Sequence, residues 1–145
     1  MDDITYVNTV SVEDYLMLRA AAGWRKIKAN RAQIGLNNSA FIVAAKHNNQ
    51  TVGMARVVTD GGYVAYIGDV SVLPEFQGRG IGRTMMQMVM EYINSLLEDG
   101  LQIYTILMSV AGKETFYNKF GFITRPDDNY GAGMHRWIGE TEELT

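Results

Sequence analysis

The chain has 145 residues, a formal net charge of −3 and no cysteine, with 47% apolar and 20% charged residues. That is the size and composition of a single globular domain, residues 1–145, with room for a real core. It excludes a disulfide framework, a zinc ribbon and a cysteine nucleophile, and it offers no basic face to nucleic acid.

In chain order, the opening "MDDITYVNTV" carries two acids and no apolar signal-peptide core, and no apolar run approaches a membrane span. A cytoplasmic protein with no membrane partner is the expectation. "ITYVNTV" alternates as a first strand does. Ser11 then caps a helix over "VEDYLMLRAAA", with Asp14 in the capping-box position and Gly23 closing it. "NRAQIGL" predicts a second, short helix. "AFIVAAK" and "TVGMARVVT" flank the polar "HNNQ" and predict a hairpin. A long strand is expected from Tyr63 to about Leu73, where Pro74, lacking an N–H, ends it.

After a glycine segment, Arg83 to Gly100 predicts a helix, with Met85, Met86, Val89, Met90, Ile93, Leu96 and Leu97 at helical spacing. Its methionines read as flexible core filling. "LQIYTILM" predicts a strand buried on both faces. "GKETFYNKF" predicts a short helix stopped by Gly121, and "GFITR" and "GMHRWIG" predict two last strands around the polar "PDDNYGAG". The tail "ETEELT" is acidic and expected to fray. The order β-α-α-β-β-β-α-β-α-β-β predicts a mixed α/β sheet with helices on its faces. His47 reads as part of a turn and His135 as an ordinary strand residue. They are the only two histidines and are not neighbours in sequence, so no metal site is expected.

The segment "VLPEFQGRGIG", Val72 to Gly82, poses the functional question. A strand that enters a helix through glycines gathers backbone N–H groups at one point, where the helix dipole adds partial positive charge. Phosphate is the natural ligand of such a place. A P-loop is excluded, because no Gly-Lys-Ser/Thr follows Gly78. A dinucleotide fingerprint fits poorly. Gly82 falls one residue too early, and the loop follows the fourth strand, not the first.

"QGRGIG", Gln77 to Gly82, resembles the Q/R-x-x-G-x-G/A signature of the GNAT superfamily of acetyl-CoA-dependent N-acetyltransferases. The flank "DVSVLPEFQGRGIG" from Asp69 is similar to that family's central strand and pyrophosphate loop. "FYNKFGF", Phe116 to Phe122, is similar to its F-Y-x-K-x-G-F segment, and the element order agrees along nearly the whole chain. The resemblance implies a mostly antiparallel central sheet, splayed between strands 4 and 5 and flanked by helices. It also implies acetyl-CoA as co-substrate, without a metal. Gln77, Gly78, Arg79, Gly80, Ile81, Gly82 and Arg83 would hold the coenzyme A pyrophosphate, and the main chain of Val70 and Val72 its pantetheine arm, like an added strand. Arg79 and Arg83 could make charge-assisted phosphate contacts or be solvated surface charges.

The implied chemistry is direct attack of a neutral primary amine on the thioester in a ternary complex, consistent with the lack of a cysteine to carry the acyl group. Tyr117 matches the family tyrosine that protonates the leaving thiolate; by spacing alone it reads as a core aromatic. A backbone N–H near Val70 would stabilise the oxyanion. Asp69 is the candidate base, directly or through water, or else an acid that orients the loop or binds the substrate ammonium. The sequence departs from the family where Asn and Ala usually precede the tyrosine by seven and four residues: here stand Val110 and Lys113. The acceptor is a small-molecule or peptide amine, and a homodimer through the C-terminal strands follows family habit. The reading from a different class is a non-catalytic acyl-CoA-binding sensor or interaction module.

Overall fold

The computed structural model describes residues 3–139. They fall into two compact units, one up to Leu107 and one from Met108. The first contains β1 (Ile4–Val7), α1 (Val12–Ala21), α2 (Ala29–Asn37), β2 (Phe41–His47), β3 (Gln50–Thr59), β4 (Val64–Val72), a 3₁₀ turn at Pro74–Phe76, α3 (Ile81–Ser95) and β5 (Tyr104–Leu107). The second contains α4 (Glu114–Asn118).

The five strands form one sheet in chain order. β1 to β4 pair antiparallel, and β5 runs parallel to β4 after the α3 crossover. The β2–β3 turn is tight because Asn48 and Asn49 both take positive φ, 50° and 64°, which Asn tolerates better than most residues. Val43, Ala44, Ala45, Val52, Met54, Ala55 and Val57 are fully buried, so β2 and β3 form the centre. Phe41, paired with Val57, stacks on Tyr92 of α3 at 4.7 Å. Arg56, the next residue along β3, points to the other face and reaches Gly35 and Ser39 at the end of α2. Helices thus cover both faces of the sheet, as the alternation of β3 requires.

Several expected boundaries moved, each for a local reason. Ser11 caps α1 by accepting from the Asp14 N–H at 3.1 Å, yet the Asp14 carboxylate does not close the box. It accepts from Thr51 Oγ1 at 2.7 Å and pins α1 to β3. α3 starts at Ile81, two residues before the expected Arg83, because left-handed Gly80 (φ 83°) turns the chain into it. It stops at Ser95, short of Gly100, where the Ser95 hydroxyl donates back to the Tyr92 carbonyl and competes with the helix ladder. Leu97 lies beyond the helix and is exposed. β5 is not buried on both faces: Tyr104 and Ile106 are exposed, as befits the last strand of the sheet.

The two final strands do not form. Among the described residues no strand follows β5. Among the described residues no ladder includes the segment after Gly121, and isolated strands are not stable. Instead Asp127 organises a turn, its Oδ1 accepting from the N–H groups of Asn129 and Tyr130 at 2.8 and 2.7 Å. His135 is therefore an exposed residue of irregular chain, not a strand residue. His47 closes β2, with its ring 5.2 Å from that of Phe76. The tail 140–145 lies outside the described residues. Among the described residues no helix is long and apolar enough to cross a membrane.

Candidate active site

β4 is nine residues long, but β5 accompanies only its first half. The parallel register runs from Val64↔Tyr104 to Ile67↔Leu107. From Gly68 to Val72 the strand pairs only with β3, and even that ladder is interrupted. Arg56 faces Gly68 and Met54 faces Ser71, so Asp69 and Val70 together oppose Ala55. This is a β-bulge, in which extra residues leave the ladder and re-aim the chain. Gly53 makes the close approach beside it: a Cβ there would stand 2.8 Å from the Ser71 carbonyl oxygen.

The strand then leads into the glycine loop. Leu73 N–H donates to Val52 at 2.8 Å, which ties down the exit of β4. The Gln77 side-chain amide donates to the Val72 carbonyl at 3.0 Å and folds the loop onto the strand end. Gly78 and Gly80 take φ of 78° and 83°, and a Cβ on either would find no protein atom within 4 Å. Glycine is needed there for its backbone, and the space beside it is open. Thr84 N–H donates to the Gly80 carbonyl at 3.0 Å as the first bond of α3. The N–H groups of Ile81, Gly82 and Arg83 therefore precede the helix ladder, and no side chain caps them from Gly80. Ile81 is buried and anchors the helix start, whereas Arg83 is exposed. Arg79 folds back, donating to the Glu75 carbonyl at 3.0 Å with its guanidinium 4.9 Å over the Phe76 ring.

Asp69 sits in the bulge with φ 56°. Its Oδ2 accepts from the Tyr15 hydroxyl at 2.7 Å and from Arg56 Nε at 2.6 Å, and its Oδ1 from Arg19 Nη1 at 3.0 Å. The side chains of Arg19, Arg56 and Asp69 are only 13%, 18% and 11% exposed. Burial, then the bond to Asp69, raise the Tyr15 phenol above its ordinary value. Burial and then the Asp69 charge raise Tyr66 in the same direction. Burial alone would lower the Arg56 guanidinium, but the bond to Asp69 and its charge outweigh it and the net direction is up. Tyr15, Arg19 and Arg56 were missed in the sequence. Two signals pointed to them. Arg56 is a charge inside the apolar strand "VGMARVV", which demands a partner. Tyr15 and Arg19 stand four apart on α1, so they share a face.

In the second unit, Tyr117 lies on α4 and is buried, edge-on to Phe116 at 5.0 Å. Lys113 is the N-cap residue of α4, and Val110 is half exposed. Among the described residues no group of His, Asp and Glu is placed to hold a metal.

A glycine loop that continues a strand whose second half has lost its neighbour is the arrangement implied by the sequence resemblance, and comparison with known proteins agrees on the family. Residues 37–124 match the acetyltransferase (GNAT) domain model. The chain belongs to the GNAT acetyltransferase family. It is 31% identical over 134 residues to the uncharacterized N-acetyltransferase ycf52 of Porphyra purpurea, covering 88% of this chain and 74% of that one. A crystal structure of a probable acetyltransferase of unknown function from meticillin-resistant Staphylococcus aureus superposes with a TM-score of 0.82 at 30% identity. It covers 93% of this chain and 100% of that one. A GNAT family acetyltransferase from Streptococcus pneumoniae gives 0.74 at 26% identity, over 96% and 98% of the two chains. This GNAT protein is thus an acyltransferase, and its mostly antiparallel sheet with a parallel β4–β5 pair is the family fold.

Proposed function

We propose that this GNAT protein transfers an acetyl group from acetyl-CoA to a primary amine, of a small molecule or a peptide, by direct attack in a ternary complex. The observation that carries the reading is the run from bulge to helix. Gly78 and Gly80 hold left-handed backbone beside open space, and the N–H groups of Ile81, Gly82 and Arg83 stand ahead of the α3 ladder. Such a place suits the pyrophosphate of coenzyme A. The main chain of Val70 and Val72, past the end of β5, suits the pantetheine arm.

Acetyl-CoA supplies the activated acyl group. Of the chain's own groups, the Val70 N–H, in the bulge, is assigned to the oxyanion. Tyr117 is assigned to protonation of the leaving thiolate on its match to the family tyrosine. For Asp69, three side-chain partners on two oxygens favour the orienting role over that of base. The homodimer stays in the proposal on the exposed apolar side chains of Met134, Trp137 and Ile138. A monomer by sedimentation removes it.

Calorimetric titration with acetyl-CoA, against NADH as control, tests the cofactor. One saturable site for acetyl-CoA alone is expected. Initial rates with both substrates varied then test the mechanism: intersecting double-reciprocal lines support a ternary complex, and parallel lines an acyl-enzyme. Tyr117→Phe is expected to lower kcat about 100-fold with acetyl-CoA affinity kept; an unchanged kcat removes the assignment. Tight acetyl-CoA binding with no amine turned over would favour a sensor module.

A further inference from the structure

Outside the Asn48–Asn49 turn, Asp69 is the only described residue other than glycine in the left-handed region. Away from a turn, that conformation costs free energy and persists only where the surroundings hold it. Here the holding groups come from elements far apart in sequence. Tyr15 and Arg19 reach from α1, and Arg56 from β3. Each guanidinium is itself anchored from behind. Arg19 Nη2 donates to the Arg25 carbonyl at 2.7 Å, and Arg56 Nη1 to Ser39 Oγ at 3.1 Å. The carboxylate thus joins α1, the α1–α2 connection and the end of α2 to one point of β4. The next residue after that point is Val70.

We infer that Tyr15, Arg19 and Arg56 are positioning residues: through the Asp69 carboxylate they lock the β4 bulge and so aim the Val70 N–H. The inference rests on the acetyl-transfer reading, which gives that N–H its task. Both carboxylate oxygens already accept charge-assisted bonds, so the geometry of Asp69 serves the backbone that follows it. A displacement of about 1 Å at an oxyanion donor is enough to cost about two orders of magnitude in rate. The three partners therefore matter to catalysis without touching substrate.

The experiment exploits the conformation. Glycine adopts φ near +56° without a clamp, Asn tolerates it, and Ala does not. Asp69→Ala is expected to lower kcat by about 10- to 100-fold, with acetyl-CoA affinity retained. Asp69→Gly should recover a large part of that loss, and Asp69→Asn a smaller part, with the limbs of the pH–rate profile kept. Gly no better than Ala, together with a lost limb in the profile, overturns the inference, because the carboxylate is then itself the proton acceptor. Should Asp69→Ala not fold, Tyr15→Phe removes one hydrogen bond and no charge. Lower kcat at unchanged KM for acetyl-CoA supports the clamp, and unchanged kcat overturns it. Hydrogen exchange at the Val70 amide needs no turnover, so it separates this idea from the proposed reaction. Faster exchange in Tyr15→Phe supports the clamp even if no amine is acetylated, and identical exchange overturns it.

Discussion

Along the path from β4 to α3 the chain enters the left-handed region at two places, and it does so by different means. The loop at Gly78 and Gly80 uses residues without a Cβ, beside open space. The bulge at Asp69 uses a residue with a side chain and ties that side chain to three others. The first solution leaves backbone N–H groups free for a ligand, and the second fixes one backbone segment rigidly. Under the proposed function the contrast separates binding from aim: the loop would serve an incoming anion, and the bulge the geometry of the atoms beside it.

The largest expected effect comes from breaking the glycine solution. Gly80→Val puts a β-branched side chain at φ 83°, a strain of about 1–3 kcal/mol, and fills the open space. Calorimetry should show acetyl-CoA binding weakened by at least about 100-fold, while circular dichroism shows a folded protein, since the new Cβ meets no protein atom within 4 Å. Retained affinity would place the phosphate elsewhere.

The next effect comes from the clamp. Arg56→Met removes one of two guanidinia from a carboxylate that is 11% exposed. Breaking a buried pair is costly, and with Arg19 still in place a loss of about 2–4 kcal/mol is expected in denaturant unfolding. A loss near zero would mean that water replaces Arg56 freely.

A milder change sharpens the comparison. Gly78→Asn keeps a residue that tolerates φ 78° but adds bulk, so acetyl-CoA affinity should fall by about tenfold or less. An effect as large as that of Gly80→Val would show that space, and not conformation, governs the loop.

The smallest effect is alkaline. The Tyr15 phenol is raised above its ordinary 10.0 by burial and then by Asp69. The folded protein thus keeps a proton that the unfolded chain loses above about pH 10. Its contribution to stability is complete below that pH and is lost as pH rises through the folded value. Tyr15→Phe should flatten the fall of unfolding free energy above pH 10; an identical slope would assign the alkaline loss to other tyrosines, Tyr66 among them.

Much of this was legible in the residues. Alternation located β1, the polar "HNNQ" and Pro74 bounded β2 to β4, and caps and period-3.6 spacing located α1 and α3, to within a few residues, because these signals are local. Pro74 and the glycines marked the strand-to-helix loop, because conformational need there is local. The C-terminal segment misled. "GFITR" and "GMHRWIG" carry strand-like residues, but a strand exists only with a partner, and local pattern does not supply one. Leu96 and Leu97 misled in the same way: they continue the α3 stripe after the backbone has left the helix.

By itself the sequence determined the class of the fold, the place of the glycine loop and the family, since all three rest on short-range patterns of glycine, proline and apolar spacing. Only the tertiary structure decided which groups Asp69 meets. Its partners lie 54, 50 and 13 residues away, and no local rule brings Tyr15, Arg19 and Arg56 to one carboxylate. Packing of α1 on β3 and β4 does so, and that packing follows from burial of apolar surface over the whole unit.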